Sequence, residues 1–384
     1  MTQFVDGNRI TLLQNGTDYF PALEEAIDRA VREIYLETYI FENDGTGRQI
    51  AAALKRAARR GVTTHLLLDG YGAKDLPREM IEDMRSAGVQ VLSYRPVLAK
   101  FRRSSYRRLH RKIAVADNRI AFVGGINIID DMDTPGQTPP RYDYAVALEG
   151  PLVQAVHATA RKLWGLVAWS QLKRRRRRQQ RDPLVLPFAD GVRAAFLLRD
   201  NINHRRDIED AYLDAINQSG SEVIIANAYF LPGRRFRQAL IGAAKRGVKV
   251  TLLLQGRVEY LLLHYATRAL YGVFLDSGIE IYEYQRSFMH AKVAVIDRHW
   301  ATVGSSNIDP FSLLLSREAN VIVDDGGFAA ELGASLEQSM AEGSRVVTYD
   351  SWKKQPLHLR LLSWLSYGGV RLLMGMAGYG RRRG

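Results

Sequence analysis

The stretch from Leu109 to Asn127, LHRKIAVADNRIAFVGGIN, returns 180 positions later as MHAKVAVIDRHWATVGSSN, from Met289 to Asn307. The chemistry-bearing positions are identical at this single offset. They are His110, Lys112, Asp117, Gly124 and Asn127 in the first copy, and His290, Lys292, Asp297, Gly304 and Asn307 in the second. Such agreement at one spacing indicates a duplicated unit, so we expect two pseudo-symmetric half-sites that face each other.

Each copy has the pattern of a buried strand. The residues after the His are mainly β-branched or small and apolar, which is typical of a central strand. Side chains two apart on a strand point to the same side, so His110 and Lys112 share a face, as do His290 and Lys292. A buried lysine is costly unless an anion pairs with it. The duplicated imidazoles, ammonium groups and asparagine amides therefore predict a site for a phosphate diester.

The spacing resembles the signature of the phospholipase D superfamily, His-x-Lys-x4-Asp-x6-Gly-x2-Asn, which occurs twice in members of that family. Both copies match without a gap. The resemblance implies an α/β fold of two pseudo-symmetric α/β sandwich lobes, with the active site at their seam. The catalytic residues that it implies are His110, Lys112, Asp117, His290, Lys292 and Asp297, and the phosphate-binding residues are Asn127, Asn307, Lys112 and Lys292. Asp117 and Asp297 end their strands, so we expect structural contacts from them rather than proton transfer.

The duplication extends beyond the two motifs. AARRGVTTHLLLDG from Ala57 to Gly70 parallels AAKRGVKVTLLLQG from Ala243 to Gly256. Alternating helices and strands in each half favour an α/β sandwich. We therefore predict a first lobe over residues 1–172, a basic linker over 173–182, a second lobe over 183–350 and a basic amphipathic tail over 351–384.

Two carboxylates are candidates for orienting the histidines. Asp143 lies 33 residues after His110 and Glu318 lies 28 residues after His290, each at the start of an apolar strand predicted to run back beside the catalytic strand. A carboxylate on the second ring nitrogen fixes the tautomer and basicity of an imidazole. The alternative is a surface salt bridge, for example with Arg141 or Arg317.

Composition bounds the cellular setting. Cysteine is absent, which excludes disulfides and thiolate metal ligands and is compatible with a reducing compartment. The first residues are polar and no long uncharged apolar stretch is present, so neither a signal peptide nor a membrane span is expected. Many bacterial cardiolipin synthases of the superfamily begin with two transmembrane helices; this chain instead resembles their shorter B type. We expect a peripheral protein on the cytoplasmic face of the bacterial cell membrane.

Positive charge is concentrated in a few segments of a chain whose net charge is +13. Basic residues with interleaved aromatics precede the first motif, and the tail mixes arginines with apolar residues. The predicted contacts to anionic lipid are Arg102, Arg103, Arg107, Arg108, Trp364 and Arg371. Basic segments flanked by aromatics suit an anionic bilayer surface, although they also suit nucleic acid. A solvated basic surface, or packing of the tail on the second lobe, is the alternative.

The resemblance implies a phosphatidyltransferase of cardiolipin synthase type. One histidine, for which we favour His110, attacks the phosphorus of a phospholipid such as phosphatidylglycerol, and His290 serves as acid and then base. A second lipid, either phosphatidylglycerol or phosphatidylethanolamine, accepts the phosphatidyl group. No metal and no cofactor is expected, and one chain suffices for a complete site. A hydrolytic phosphodiesterase or nuclease is the alternative, and it is disfavoured by the apolar tail; the intact motifs argue against an inactive scaffold.

Overall fold

The computed structural model describes residues 2–95, 108–134, 136–171, 185–200, 204–258, 260–309 and 316–376. The predicted linker over 173–182 and the candidate residues Arg102, Arg103 and Arg107 lie outside this part of the chain.

Strands form one continuous sheet through both halves of the described chain. They are β1 (Val5–Gln14), β2 (Glu33–Thr38), β3 (Thr63–Asp69), β4 (Gln90–Tyr94), β5 (Arg108–Leu109), β6 (Lys112–Ala116), β7 (Ile120–Gly124), β8 (Tyr144–Glu149), β9 (Val192–Arg199), β10 (Glu222–Asn227), β11 (Lys249–Gln255), β12 (Glu280–Tyr284), β13 (Lys292–Ile296), β14 (Trp300–Gly304), β15 (Ser316–Asp324) and β16 (Ser344–Val347).

Helices connect and cover these strands. They are α1 (Asn15–Arg29), α2 (Gly45–Arg59), α3 (Arg78–Ser86), α4 (Val153–Ser170), α5 (Asp207–Gln218), α6 (Arg234–Lys245), α7 (Leu261–Arg268), α8 (Tyr271–Asp276), α9 (Gly326–Gly343), α10 (Tyr349–Lys353) and α11 (Leu357–Met376).

The strand order shows the duplication directly. Reading across the sheet, the order is β16-β12-β11-β10-β13-β14-β15-β9-β1-β8-β7-β6-β2-β3-β4, with β5 paired to β15. Apart from β16, the second half mirrors the first about the β9–β1 contact, so β13 corresponds to β6 and β15 to β8. The two-lobed α/β arrangement predicted from the repeated sequence is therefore confirmed. One detail differs in both lobes, because β7 lies between β6 and β8, and β14 lies between β13 and β15. The strand after Asp143 and the strand that contains Glu318 are therefore not direct neighbours of the catalytic strands.

Alternating side chains on the catalytic strands bind the lobes together. Ile113 and Val115 of β6 join the same apolar core as Val293 and Val295 of β13. The intervening residues face helices instead: Ala114 packs in the first-lobe core. Successive strand residues point to opposite faces of the sheet. Strand β6 therefore contributes side chains to the core shared by the two lobes on one face, and to the helix-covered core of the first lobe on the other. This shared core fixes the two repeated motifs relative to each other.

Two equivalent helices, one in each half, end at a glycine. Gly61 and Gly247 follow α2 and α6 with φ of +89° and +90°, a left-handed conformation that favours glycine at a helix end. After Gly61 the chain enters β3, which runs parallel to β2, and after Gly247 it enters β11, which runs parallel to β10.

The tail contains helix α11, which packs on the second lobe by one face. Val370 is fully buried in the second-lobe core, and Ser363 and Ser366 are also buried. The opposite face is apolar and exposed. Its exposed members are Leu357, Leu361, Leu362, Trp364, Leu365 and Leu372. Packing on the lobe, which the sequence left open, thus occurs together with an unburied apolar stripe.

Candidate active site

The two His-x-Lys pairs lie where β6 and β13 begin. Lys112 and Lys292 are the first residues of these strands and are buried. The Nζ of Lys112 donates to the carbonyl of His110 at 2.7 Å, and Lys292 donates to the carbonyl of His290 in the same way. Each ammonium group is thus held beside its own histidine.

The carboxylates reach across the seam. His110 Nδ1 contacts Glu318 at 3.1 Å, and His290 Nδ1 contacts Asp143 at 2.7 Å. Each histidine is therefore paired with the carboxylate of the other lobe. With Nδ1–H donated to a carboxylate, the Nε2 lone pair of each ring is left for phosphorus or a proton.

The backbone makes the same crossed connection. The amide of His110 donates to the carbonyl of Arg317 at 3.0 Å, and the amide of His290 donates to the carbonyl of Tyr142 at 2.7 Å. These acceptors directly precede Glu318 and Asp143. Because both the ring and the main chain of each histidine are fixed by the opposite lobe, the geometry of the pair depends on the docking of the lobes.

The suggested surface salt bridges are replaced by other contacts. Arg141 donates to the carbonyl of Asp133 and lies 5.2 Å over the ring of Phe288. Arg317 donates its Nε to the hydroxyl of Tyr94 at 3.1 Å.

The residue after the motif glycine differs between the lobes. Ser305 donates its hydroxyl to Glu318 at 2.5 Å. The equivalent position in the first lobe is Gly125, where an added Cβ would lie 2.3 Å from a carboxylate oxygen of Asp143. Neither role was predicted from the sequence, although the Gly-Gly and Gly-Ser-Ser turns are visible in the repeat. A glycine is required where the shorter carboxylate side chain packs against the turn.

Burial and nearby lysines keep both imidazoles neutral before an anion binds. Burial, reinforced by Lys292, lowers the pKa of His290 to about 3 despite Asp143. Burial also lowers the pKa of His110, and the opposing effect of Glu318 does not fully offset it. The crossed contacts are then hydrogen bonds from neutral rings. A bound phosphate diester would raise both pKa values, because its charge favours the imidazolium form.

Burial and nearby charges also shift the pKa values of Lys112 and Glu318. Burial, with a further contribution from Lys292, lowers the pKa of Lys112 to about 7. Burial alone would raise the pKa of Glu318, but the neighbouring His110, Lys112 and Arg199 hold it below its ordinary value. The site thus has an ionised carboxylate behind His110 and a lysine whose charge an incoming anion would stabilise.

Asn127 and Asn307 are buried beside the motif turns. The side-chain oxygen of Asn127 accepts from the amide of Ile40 at 3.1 Å. The contact uses only the oxygen, so the NH₂ group of Asn127 remains a donor for other partners. The side-chain oxygen of Asn307 has no hydrogen-bond partner among the described residues.

Asp117 and Asp297 lie at the far ends of the catalytic strands from the lysines. Asp117 accepts from the backbone amides of Val31, Arg32 and Glu33 at 2.8–2.9 Å. Asp297 accepts equivalently from the amides of residues 220–222. Both aspartates anchor the start of a neighbouring strand, so they are placed away from the reacting groups.

Aromatic rings flank the histidines. The ring centroid of Tyr39 lies 4.9 Å from that of His110, and the Nζ of Lys112 lies 5.6 Å from the Tyr39 ring. Burial raises the pKa of Tyr39 to about 12, so it remains a neutral phenol. The ring of Phe288 lies parallel to His290 at 6.3 Å.

The other predicted lipid contacts are spread over the surface. Arg108 lies two positions before His110, and its guanidinium carbon is 4.5 Å from the centre of the Tyr71 ring. Trp364 and Arg371 are exposed on α11, and Arg371 contacts the hydroxyl of Tyr367. In the described part of the chain, no helix has the length and apolar character needed to span a bilayer. These residues likewise include no cluster of three or more His, Asp or Glu side chains arranged to hold a metal.

Comparison with known proteins identifies the family. The family model described as "Cardiolipin synthase, PLD-like domain" matches residues 23–137 and 212–340. Cardiolipin synthase B from Shigella flexneri is 42% identical over 348 residues, which are 88% of this chain and 81% of that protein. Cardiolipin synthase B from Escherichia coli K12 gives the same values.

A solved structure supports the fold at lower identity. The crystal structure of phosphatidylserine synthase from Haemophilus influenzae Rd KW20 superposes with a TM-score of 0.69 at 13% identity, covering 97% of this chain and 96% of that one. The duplicated motif, the two-lobed sheet and the matched family model agree: this chain belongs to the cardiolipin synthase family of phospholipase D-like proteins.

Proposed function

We propose that the protein is a phosphatidyltransferase that moves a phosphatidyl group from one phospholipid, such as phosphatidylglycerol, to the hydroxyl of a second lipid through a phosphohistidine intermediate. The observation that carries this proposal is the crossed pairing of His110 with Glu318 and of His290 with Asp143. Two imidazoles with Nε2 lone pairs, beside two buried lysines, provide a nucleophile, an acid and a charged cradle for one phosphodiester.

In the first half of the cycle, His110 Nε2 bonds to phosphorus and the bond from phosphorus to the headgroup oxygen breaks. His290, protonated once the anion has raised its pKa, transfers its proton to the leaving oxygen. In the second half, the incoming hydroxyl gives its proton to His290 as its oxygen bonds to phosphorus. The bond to His110 then breaks and the ring nitrogen recovers its electron pair.

Four side chains are proposed to stabilise the negative charge that develops on the phosphate oxygens in the transition state. Lys112, Lys292 and the amides of Asn127 and Asn307 are assigned to the non-bridging oxygens. Preorganised donors in a buried site stabilise such charge without reorganising, and one donor contributes about 2.7–4 kcal/mol in comparable sites. The two ammonium groups provide this stabilisation from the chain itself, so we predict that the reaction requires no metal ion.

We assign membrane contact to the exposed stripe of α11 and to the basic residues that precede His110 in the sequence, Arg102, Arg103, Arg107 and Arg108. Full burial of an apolar side chain contributes about 1.5–3 kcal/mol, and each nearby arginine adds about 1 kcal/mol at an anionic surface. Leu361 and Leu365 are 60% and 65% exposed, and Trp364 between them is 53% exposed. Arg371 on the same helix favours lying on the bilayer rather than crossing it. The proposal therefore places the protein peripherally on the cytoplasmic face of an anionic membrane, and the absence of cysteine is compatible with that compartment.

Lipid mass spectrometry tests the reaction. The protein is incubated with phosphatidylglycerol, with or without phosphatidylethanolamine, and the expected product is cardiolipin rather than phosphatidic acid. His110→Ala and His290→Ala should each abolish turnover with an unchanged circular dichroism spectrum. The matched control is His299→Ala, which removes an exposed histidine from the turn between β13 and β14 and should leave the protein active. Substantial turnover by either active-site variant would refute the two-histidine mechanism, and phosphatidic acid alone would indicate a hydrolase.

A further inference from the structure

A cleft opens in the second lobe at the ends of β10 and β11 and is covered by α7. Its cavity volume is about 30 Å³, and the space continues into open solvent. The lining includes the polar residues Tyr229, Gln255, Arg257, Tyr260, His264 and Thr267. Hydroxyl, amide and imidazole groups therefore line a space large enough for a water-sized polar group, such as one hydroxyl of a lipid headgroup.

The walls of the cleft are anchored on either side of His290. The amide nitrogen of the Gln255 side chain donates to the carbonyl of Met289 at 3.3 Å, and the backbone amide of Ala228 donates to the carbonyl of Ala291 at 2.9 Å. Two lining residues are thus hydrogen-bonded to the residues directly before and after the histidine. The cleft consequently adjoins the acid–base side of the site.

The first lobe is built differently at the corresponding place. In the described chain, no helix between β3 and α3 corresponds to α7. The counterpart of Gln255 is Asp69, whose carboxylate accepts from the backbone amides of Tyr71, Gly72 and Leu109. That side chain is committed to holding the chain before His110. The catalytic residues are duplicated, but the contacts made by Gln255 and by its counterpart Asp69 differ.

We propose that this cleft binds a headgroup hydroxyl of the acceptor phospholipid and, earlier in the same cycle, the corresponding hydroxyl of the alcohol that leaves the donor. The inference rests on the proposed function and adds the place and chemical class of the second substrate. In a displacement at phosphorus, the alcohol departs from and returns to the side opposite the nucleophile. When His110 is the nucleophile, that side belongs to His290, where the cleft lies.

The contacts explain how water is kept from replacing the acceptor. A headgroup diol bonds through one hydroxyl to His290 and phosphorus, while its second hydroxyl reaches the polar groups of the cleft. Transfer forms the oxygen–phosphorus bond, moves the hydroxyl proton to His290 and releases His110. Water has one oxygen and cannot make both contacts, so occupancy of the cleft favours transfer over hydrolysis.

The experiment measures how the intermediate partitions. Monomeric short-chain phosphatidylglycerol is the donor, and 1,3-propanediol or propan-1-ol is added at equal concentration. We expect the wild-type protein to transfer to the diol several times faster than to the monoalcohol. The variants Tyr229→Phe and His264→Phe should each lower the ratio of transfer to hydrolysis about two- to tenfold, the effect of one lost hydrogen bond. Tyr349→Phe, an exposed tyrosine on α10, is the control and should leave the ratio unchanged.

The two readouts can fail separately. Total donor consumption reports on the proposed function, whereas the product ratio reports on the cleft. Equal transfer to the diol and the monoalcohol in wild type, which needs no variant to fold, would overturn the assignment. So would an unchanged ratio in both variants. Absence of any donor consumption would overturn the proposed function and this inference with it.

Discussion

The crossed carboxylates predict which histidine attacks phosphorus. Asp143→Asn weakens the hydrogen bond behind His290, the proposed acid, while Glu318→Gln weakens the one behind His110, the proposed nucleophile. An acid is needed when an alkyl alcohol leaves, but a nitrophenol leaves readily without one. Asp143→Asn should therefore slow reaction of phosphatidylglycerol and largely spare a p-nitrophenyl ester, whereas Glu318→Gln should slow both.

The size of the effect follows from the contacts. The two hydrogen bonds measure 2.7 and 3.1 Å, and both carboxylates are buried. A hydrogen bond to a charged group contributes about 1.5–3 kcal/mol. At about 1.36 kcal/mol per tenfold in rate, each substitution should slow its step about 10- to 150-fold.

The assay is a stopped-flow burst of nitrophenol from a short-chain phosphatidyl ester, set beside single-turnover release of glycerol from phosphatidylglycerol. Glu79→Gln, an exposed carboxylate on α3, is the control and should match wild type in both. A burst that is lost in Asp143→Asn but kept in Glu318→Gln would reverse the two roles. Equal losses of rate with both substrates in both variants would refute the assignment of His290 as the acid and His110 as the nucleophile.

Further expectations concern metal, pH, membrane contact and the motif turn. Activity should survive excess EDTA; a loss that Mg²⁺ or Ca²⁺ restores would reveal a metal site. Because the pKa of His290 falls from 6.5 to about 3 on folding, the unfolded chain binds more protons between these pH values. The free energy of unfolding should therefore decrease by about 1.4 kcal/mol per pH unit as pH falls from 6.5, and denaturant titrations of His290→Gln should show a smaller decrease. Replacing Leu361 and Leu365 together by Gln should weaken binding to anionic liposomes at least tenfold in flotation while leaving melting temperature and activity on soluble substrate unchanged; Val31→Gln, at an exposed site in the first lobe, is the control. Gly125→Ala should displace Asp143 from His290 and slow turnover of phosphatidylglycerol about tenfold or more, with normal turnover counting against this packing.

The repeated motif predicted the main features of the fold and the reacting groups, because chemistry and strand pattern are both local in sequence. The offset between His110 and His290 placed two equivalent strands in two equivalent lobes. The partner of each histidine was not predictable in this way. Asp143 follows His110 in sequence, yet it pairs with His290, and only the docking of the lobes decides this.

Other features depend on packing that the sequence pattern does not reveal. The apolar residues of the tail predicted an amphipathic segment, but the buried face of α11 includes Ser363 and Ser366. Small residues allow this helix to approach the lobe, so its larger side chains are left outside. The cleft beside His290 depends on α7, for which the repeat offers no counterpart to compare.

The crossed hydrogen bonds also have a consequence during synthesis of the protein. The ribosome completes the first lobe before the second has emerged, since domains generally fold in order from the N-terminus. At that stage His110 has neither Glu318 behind its ring nor the carbonyl of Arg317 beside its amide. We therefore expect a chain that lacks the second lobe to be inactive toward lipid. Glu318 and Arg317 reach His110 only when the second lobe has folded onto the first.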